Sequence, residues 1–276
     1  MGGKEISIRV NSGISVVSAF PTGKGAAVAT DIPMKAVLES STSRGAFEDL
    51  IDHIHSRLGG NRNVNFRILS EIPQRQGMKS SSALVGSMLL AYCKFNSIEL
   101  SREETLRAGS EISIDAGLSY TGATDDLAAS IYGGLCICDN NSRSLERRLN
   151  VNRDPCIIIP GEPGQGSNSF GQNDFSWLKN VYDRMWKMVD RKTMSIIAVA
   201  NGNYMGHMSG NRIPYSQLQG LNFNICGING RGPSMFFMYD SDRIMLKDAS
   251  DMRKRGMNPL ETHITNRGAL IHERKS

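Results

Sequence analysis

The segment from Pro73 to Ala83 places a glycine, a lysine and three consecutive serines between a strand-like run and a long apolar run. This pattern predicts a loop that leads into the N-terminus of a buried helix, where free backbone amides and the helix dipole favour an anion. Gly77 would let the backbone approach a phosphate, Lys79 would add a positive charge, and the serine hydroxyls could bond phosphate or a magnesium-bound oxygen. The alternative is a serine N-cap on an ordinary helix.

Two familiar nucleotide-binding motifs are absent from the chain. The Gly23-Lys24 pair lacks the upstream glycine of a GxxxxGK[ST] loop, and no GxGxxG segment opens a helix after a strand. If ATP binds, the loop at residues 73–83 is the segment that could hold its phosphates.

A second motif, at residues 121–134, places Asp125 and Asp126 after a glycine turn and before a Gly-Gly pair. A carboxylate at the start of a helix can accept the proton of an attacking hydroxyl if positive neighbours keep it ionised. The alternative is helix N-capping, which explains one aspartate more readily than two.

A third motif, at residues 226–233, carries three glycines between two strand-like runs. A loop with so few side chains allows a ligand or another segment of backbone to come close. The stretch from Gly227 to Gly230 also matches the GxxG of an RNA-binding KH loop, but the flanking pattern does not predict the helices of that module.

Alternating strands and helices must position these three motifs. The pattern predicts strands at residues 6–10, 14–20, 26–29, 34–38, 64–68, 135–138, 156–159, 196–200, 223–226, 235–239 and 262–264. Helices are predicted at residues 47–58, 80–95, 102–116, 175–189 and 244–255, with a short helix after residue 124. A capping box is expected at Ser101–Glu104 and a mobile surface loop at Gly161–Asn173. The fold class that follows is α+β.

Composition restricts the class of protein. The chain has 276 residues, a hydrophobic fraction of 39% and a net charge of +5 with scattered basic residues, which favours a folded enzyme over a nucleic-acid-binding surface. No apolar run approaches the ~20 residues needed to cross a bilayer. The odd number of five cysteines predicts free thiols in a reducing cytoplasm, with Cys136 and Cys138 on one face of a strand as core residues and not as zinc ligands.

Taken together and in this order, the motifs resemble the GHMP kinase superfamily, which phosphorylates galactose, homoserine, mevalonate and related metabolites. The family's proline and Gly-Leu-Gly-Ser-Ser-Ala motif matches Pro73 and residues 77–83, with Lys79 in place of the middle glycine. The archaeal-type shikimate kinases are the most similar branch, because they share that lysine and the segments at residues 22–25, 121–126 and 229–233. Asn229 and Arg231 depart from the usual serine and small residue of the last segment.

The resemblance implies a domain like the second domain of ribosomal protein S5 at residues 1–152 and a ferredoxin-like domain at residues 153–276, with the active site between them. It assigns ATP binding to Pro73, Gln74, Arg75, Gln76, Gly77, Met78, Lys79, Ser80, Ser81, Ser82 and Ala83. Substrate binding is assigned to Thr22, Gly23, Asp125, Gly230 and Gly232.

The family pattern also assigns the chemistry. Asp126, seven residues before the Gly-Gly pair, takes the position of the catalytic carboxylate, and Lys24 is expected beside it to keep it ionised. Ser81 and Glu111 are the expected magnesium ligands, with Asp115 competing for the role of Glu111.

The expected activity is ATP- and Mg²⁺-dependent phosphorylation of the 3-hydroxyl of shikimate, in the biosynthesis of aromatic amino acids. A kinase for homoserine or mevalonate, or a non-catalytic nucleotide- or RNA-binding module, is the alternative. The expected partners are ATP and the small acceptor, without nucleic acid or membrane, and the sequence favours neither a monomer nor a homodimer.

Overall fold

The structure, a computed structural model, describes residues 4–41, 45–162 and 174–275. Its ten strands form two sheets. The strands are β1 (Lys4–Val17), β2 (Lys24–Ser40), β3 (Val64–Ser70), β4 (Leu135–Asp139), β5 (Ser144–Leu149), β6 (Pro155–Ile159), β7 (Ile225–Ile228), β8 (Met235–Met238), β9 (Leu260–His263) and β10 (Leu270–Lys275). The helices are α1 (Glu48–Leu58), α2 (Ser80–Phe95), α3 (Arg102–Asp115), α4 (Thr124–Tyr132), α5 (Lys179–Met188), α6 (Met194–Met208) and α7 (Asp242–Lys254). Most of the predicted loop at Gly161–Asn173 lies outside the described residues.

The first sheet has six strands in the order β10-β1-β2-β4-β5, with β3 also paired to β2. Strand β2 pairs with β1 along one edge and is long enough for two partners along the other: its first residues pair with β4 and its last residues pair with β3. The sequence predicts four short strands where β1 and β2 are continuous. The residues that are typical of turns between these predicted strands lie within the continuous strands. The β1–β2 pairing accommodates them with a shift in register between Asn11 and Ser12.

Helix α2 lies in the core of the molecule. Val85, Met88 and Leu89 are fully buried, and the helix packs on β1 and β2 as well as on α3 and α4. This confirms the expectation of a buried helix from residue 80 to residue 95. The capping box on α3 is also present, because Ser101 Oγ accepts from the Glu104 amide at 3.2 Å and the Ser101 amide donates to Glu104 Oε2 at 2.7 Å.

The second sheet is antiparallel and has the order β7-β8-β6-β9. Helices α5 and α6 follow β6, and α7 connects β8 to β9. This β-α-β-β-α-β succession is the ferredoxin-like arrangement expected for the C-terminal half.

The strand predicted at residues 196–200 is wrong, because this segment lies inside α6. Gly202 and Gly206, one helical turn apart, face β7. A side chain at Gly202 would collide with the backbone carbonyl of Ile228, and one at Gly206 would lie 2.7 Å from the Ile228 side chain. The close packing against β7 therefore stabilises α6 although the helix contains glycines. The apolar run at residues 196–200 is too short for its period to distinguish a helix from a strand.

Strand β10 was not predicted, and it pairs with β1 at the edge of the first sheet. The last residues therefore return to the sheet built by residues 4–149, whereas β6 to β9 form the other sheet. The division into domains at residues 152 and 153 stays a prediction, which this returning strand complicates.

The cysteines of β4 pack in the core, as their spacing predicted. Cys136 and Cys138 are fully buried beside Ala27 and Leu127. None of the helices in the described part of the chain is long and apolar enough to span a membrane.

Candidate active site

The loop before α2 has an unusual backbone conformation. Gly77 has φ of 75°, and Lys79, the residue that precedes the helix, has φ of 67°. A residue other than glycine rarely adopts this left-handed conformation, which costs on the order of 1–3 kcal/mol and is found mainly at functional sites. Lys79 thus occupies a position that suits the glycine usual in the resembling family.

Only part of this loop offers its side chains to a ligand. Gln74, Arg75 and Ser81 are exposed and Ser80 is half-buried, whereas Gln76, Met78, Ser82 and Ala83 are buried. The free amides of the first turn of α2 face the same end of the helix. The proposed contacts of Gln76, Met78 and Ala83 with ATP could therefore involve only their backbone.

Gln76 connects the loop to the second sheet. Its side chain donates to the Gly161 carbonyl and accepts from the Gly161 amide, both at 2.9 Å. Its own carbonyl accepts from the hydroxyl of Ser234 at 2.5 Å. Sequence analysis placed Gln76 beside ATP, but the structure gives its side chain an anchoring role.

The glycine-rich loop at residues 229–233 packs directly on the loop before α2. A side chain at Gly77 would lie 2.5 Å from the Asn229 carbonyl oxygen. Asn229 is fully buried, and its side chain accepts from the Ser15 amide at 2.9 Å and donates to the Gly13 carbonyl at 3.2 Å. The asparagine that departs from the family pattern therefore fixes the third motif to β1.

Asp126 pairs with Lys79. The Lys79 Nζ lies 2.9 Å from Asp126 Oδ1, and the two side chains are only 11% and 18% exposed. Asp126 belongs to the first turn of α4, where the helix dipole also favours a negative charge. The structure thus brings together the lysine of the loop predicted to bind phosphate and the carboxylate predicted to be catalytic.

Asp125, beside Asp126, is buried. Asn140 Nδ2 donates to its Oδ1 at 3.0 Å, and its carboxylate packs so closely on β2 that a side chain at Gly25 would lie 2.5 Å from its Cγ. Burial, followed by the charge of Asp126, raises the pKa of Asp125 to about 7, although Lys79 and Asn140 oppose the shift. Asp125 therefore lies beneath the site as a group that is partly protonated near neutral pH.

The segment from Thr22 to Lys24 is held by the turn between β4 and β5. The Asn140 amide donates to the Gly23 carbonyl at 2.7 Å, and Asn141 Nδ2 donates to the Thr22 carbonyl at 3.3 Å. Lys24 places its Nζ 4.9 Å from the centre of the Trp186 ring, in a cation–π contact. Among the described ion pairs, Asp126 is joined to Lys79 and not to Lys24, so the counter-charge expected from Lys24 comes from Lys79.

Glu111 and Asp115, the candidate magnesium ligands, contact arginines. Arg57 bonds both carboxylates, Asp115 at 2.5 Å, and Arg143 lies 3.0 Å from the second oxygen of Glu111. No group of three or more His, Cys, Asp or Glu side chains suited to a metal ion occurs in the described ranges. The arrangement does not fit Glu111 as a ready metal ligand, because both of its oxygens are held by guanidinium groups.

Sequence reasoning missed several side chains around the site. Asn140 follows β4 in an Asp-Asn-Asn run typical of a turn, and Trp186 lies in the helix predicted at residues 175–189, to which no role in the site was assigned. Phe20 contacts the guanidinium of Arg231, whose carbon lies 5.5 Å from the centre of the ring. The sequence gives no signal for these contacts, because each joins segments far apart in the chain.

Comparisons with known proteins concern the family and the fold of the chain. Residues 43–134 match the model of the GHMP kinases N terminal domain. The shikimate kinase of Thermoplasma acidophilum is 29% identical over 90% of this chain and 92% of its own length, and that of Pyrococcus furiosus is 28% identical over 83% and 90%. The crystal structure of Methanococcus jannaschii mevalonate kinase superposes with a TM-score of 0.70 at 13% identity, covering 94% of this chain and 98% of that chain.

The domain match covers the loop before α2 and the two aspartates, the relatives extend over nearly the full chain, and the fold is shared with a solved mevalonate kinase. On this evidence residues 43–134 form a GHMP kinases N terminal domain, and the chain is similar over most of its length to shikimate kinases.

Proposed function

We propose that this protein is a shikimate kinase, which transfers the γ-phosphoryl group of ATP to the 3-hydroxyl of shikimate and releases ADP. The observation that supports it best is the ion pair between Lys79, at the N-terminus of α2, and Asp126, at the N-terminus of α4. It occurs in a chain whose relatives over about nine-tenths of its length are named shikimate kinases. The cytoplasmic location expected from the cysteine content stays a prediction.

In the proposed mechanism, the phosphates of ATP bind at the N-terminus of α2. The amides of residues 77–82 and the hydroxyls of Ser80 and Ser81 would donate to phosphate oxygens. Since charge spreads over the transferring oxygens, correct positioning and nearby cations contribute most of the rate.

Asp126 would orient the acceptor hydroxyl and accept its proton. Lys79 keeps this carboxylate paired before substrate binds, and it lies at the end of the helix where the phosphates would bind. When Asp126 takes the proton of the acceptor it becomes neutral, and the Lys79 ammonium group could then pair with the phosphate oxygens instead. Lys24, held over Trp186, would contact substrate from the other side of the site, with Thr22 and Gly23.

ATP is expected to enter with Mg²⁺, which binds chiefly to phosphate oxygens and water and needs few protein ligands. The exposed hydroxyl of Ser81 could supply one of them. Glu111 would have to leave its two arginines before it could bind a metal ion.

A coupled assay for ADP formation tests the proposal. Purified protein with ATP and Mg²⁺ is offered shikimate, homoserine or mevalonate in parallel. Stimulation by shikimate alone, with shikimate 3-phosphate identified as product, supports the proposal. Stimulation by homoserine or mevalonate alone would refute the acceptor and keep the kinase, and ATP binding without turnover on any acceptor would favour a non-catalytic module.

The catalytic role of Asp126 is tested by Asp126→Asn. We expect turnover to fall by about 10²- to 10⁴-fold, because the amide cannot accept the proton, with KM for ATP changed less than about 2-fold. Glu103→Gln is the matched control, since Glu103 is also an acidic residue in the first turn of a helix but is exposed, and it lies next to Arg102, which contacts the opposite end of α4 from Asp126. Near-normal turnover of Asp126→Asn would eliminate the assignment.

A further inference from the structure

Arg231 lies in the third motif at a position where the resembling family usually has a small residue. It stands between Gly230 and Gly232, which have φ of 59° and 77°. The Arg231 carbonyl accepts from Asn211 Nδ2 at 2.5 Å, and the buried side chain of Asn229 fixes the start of the same loop to β1. The backbone of Arg231 is therefore held in place on both sides, so the position from which its side chain extends is fixed.

The side chain of Arg231 extends toward the catalytic end of the molecule. Its guanidinium carbon lies 5.5 Å from the centre of the Phe20 ring, two residues before Thr22. Burial lowers the pKa of Arg231 below its usual value, while the charges of Tyr120 and Asp126 oppose that shift. The guanidinium thus lies within electrostatic reach of the residue proposed to activate the acceptor.

The neighbours of Arg231 suit the acceptor better than they suit ATP. The phosphates have their own donors at the N-terminus of α2, with Lys79. Arg231 instead lies over the aromatic ring of Phe20, which could pack against a carbon ring. A planar guanidinium offers two parallel donors that match a carboxylate, and a carboxylate that leaves water needs such a partner.

We propose that Arg231 forms the subsite for the carboxylate of the acceptor, so that the site selects a cyclic or short-chain hydroxy acid over a neutral sugar or alcohol. This inference rests on the proposed function and deepens it. Arg231 would fix the far end of the acceptor while Asp126 contacts the reacting hydroxyl.

Two variants and two acceptors test the subsite. Arg231→Met keeps an unbranched apolar side chain over Phe20 but removes the charge, and Arg231→Lys restores a charge without the planar pair of donors. The acceptors are shikimate and its methyl ester, which keeps the ring hydroxyls and removes the negative charge. Arg212→Ala is the matched control, because Arg212 is an exposed arginine close in sequence to Asn211.

With shikimate, we expect Arg231→Met to lower kcat/KM by roughly 10- to 100-fold, mainly through KM, with KM for ATP changed less than about 2-fold. Arg231→Lys should recover part of the loss. The methyl ester should be a poor acceptor for the wild-type protein and should lose no more than about 3-fold further in Arg231→Met. Arg212→Ala should match the wild type.

Three outcomes would overturn the inference. They are an equal loss with shikimate and its ester, a rise in KM for ATP that matches the rise for shikimate, and unchanged kinetics in Arg231→Met. If shikimate does not stimulate ADP formation by the wild-type protein, the proposed function is refuted. The same two variants are then measured with the acceptor that does stimulate ADP formation. If that acceptor has no carboxylate, or if its kinetics are unchanged in Arg231→Met, the carboxylate subsite is refuted independently of the proposed function.

Discussion

Lys79 combines a strained backbone with a buried charge. Its φ of 67° is the conformation that glycine adopts most easily, and its ammonium group pairs with Asp126 at 2.9 Å. A lysine at such a position costs stability that a glycine would not, on the order of 1–3 kcal/mol. The strain is consistent with a functional reason for a cation at this point between the phosphate loop and the carboxylate.

Asp125 makes stability depend on pH. Its pKa of about 7 in the folded protein lies above the value near 4 of an unfolded chain. Between these values the folded state binds more protons, so stability falls as pH rises from about 4 to about 7, and the loss persists above that. The buried carboxylate therefore destabilises the fold at neutral and alkaline pH.

Replacing Asp125 with Asn should remove this effect. The amide can still accept the hydrogen bond from Asn140 and has no proton to lose. We expect Asp125→Asn to be close to the wild type near pH 4.5 and more stable at pH 8.5, by a few kcal/mol at most, since each unit of pKa is worth about 1.4 kcal/mol. Urea denaturation at both pH values measures the difference.

Asp49→Asn, at an exposed aspartate of α1, should show no such dependence on pH. If Asp125→Asn had the same advantage, or none, at both pH values, the raised pKa would not be the cause of any change in stability.

At the scale of elements, the site depends on two loops from different sheets that touch through Gly77. Any side chain there would collide with the Asn229 carbonyl oxygen, at 2.5 Å, and would also need the left-handed backbone conformation. Gly256, after α7, has a similar φ of 79° but lies next to open space. Alanine substitutions at the two glycines therefore distinguish the cost of backbone strain from the cost of losing the contact between the loops.

We expect Gly256→Ala to cost about 1–2 kcal/mol, which is the backbone strain alone, and to leave the kinetics unchanged. Gly77→Ala should cost more than that and should raise KM for ATP by about 10-fold or more, because the loop must move away from residues 229–232. Urea denaturation and initial rates on the two variants measure these effects. Equal costs, with KM for ATP unchanged in both, would show that the contact between the loops does not position the phosphate site.

The elements that sequence predicted best carry strong local signals. The bounds of α2 and the capping box of α3 follow from a long apolar run and from the Ser101–Glu104 pair. Helix α6 was mistaken for a strand because its short apolar run has no clear period, and its glycines are explained only by the approach of β7. The ion pair of Lys79 was likewise not predictable, because it depends on how α2 and α4 meet.

For the whole molecule, β1 is the element that both halves share. It pairs with β2 and β10 in the first sheet, and Ser15 of its later part is bonded by two buried asparagines, Asn229 from the third motif and Asn201 from α6. Strand β10 has no clear signal in the sequence, because a short polar strand of this kind forms only when its partner edge exists. The position of the third motif beside the phosphate loop therefore depends on contacts made across the two sheets.

Asn201 tests this connection between the halves. Its Oδ1 accepts from the Ser18 amide at 3.0 Å and from the Tyr182 hydroxyl at 3.1 Å, in a fully buried setting. Asn201→Ala leaves both donors without that partner, so we expect a loss of about 2–4 kcal/mol in the free energy of unfolding. Asn203→Ala, on the exposed side of the same helix, should stay within about 0.5 kcal/mol of the wild type.

Urea denaturation followed by tryptophan fluorescence measures both variants. Trp186 of α5 contacts Lys24 of β2, so its fluorescence reports on a contact between the two halves. A single transition is expected if β1 joins the halves into one cooperative unit. Two separate transitions in Asn201→Ala would strengthen that role for Asn201, whereas a loss no larger than that of Asn203→Ala would show that the halves are held together without it.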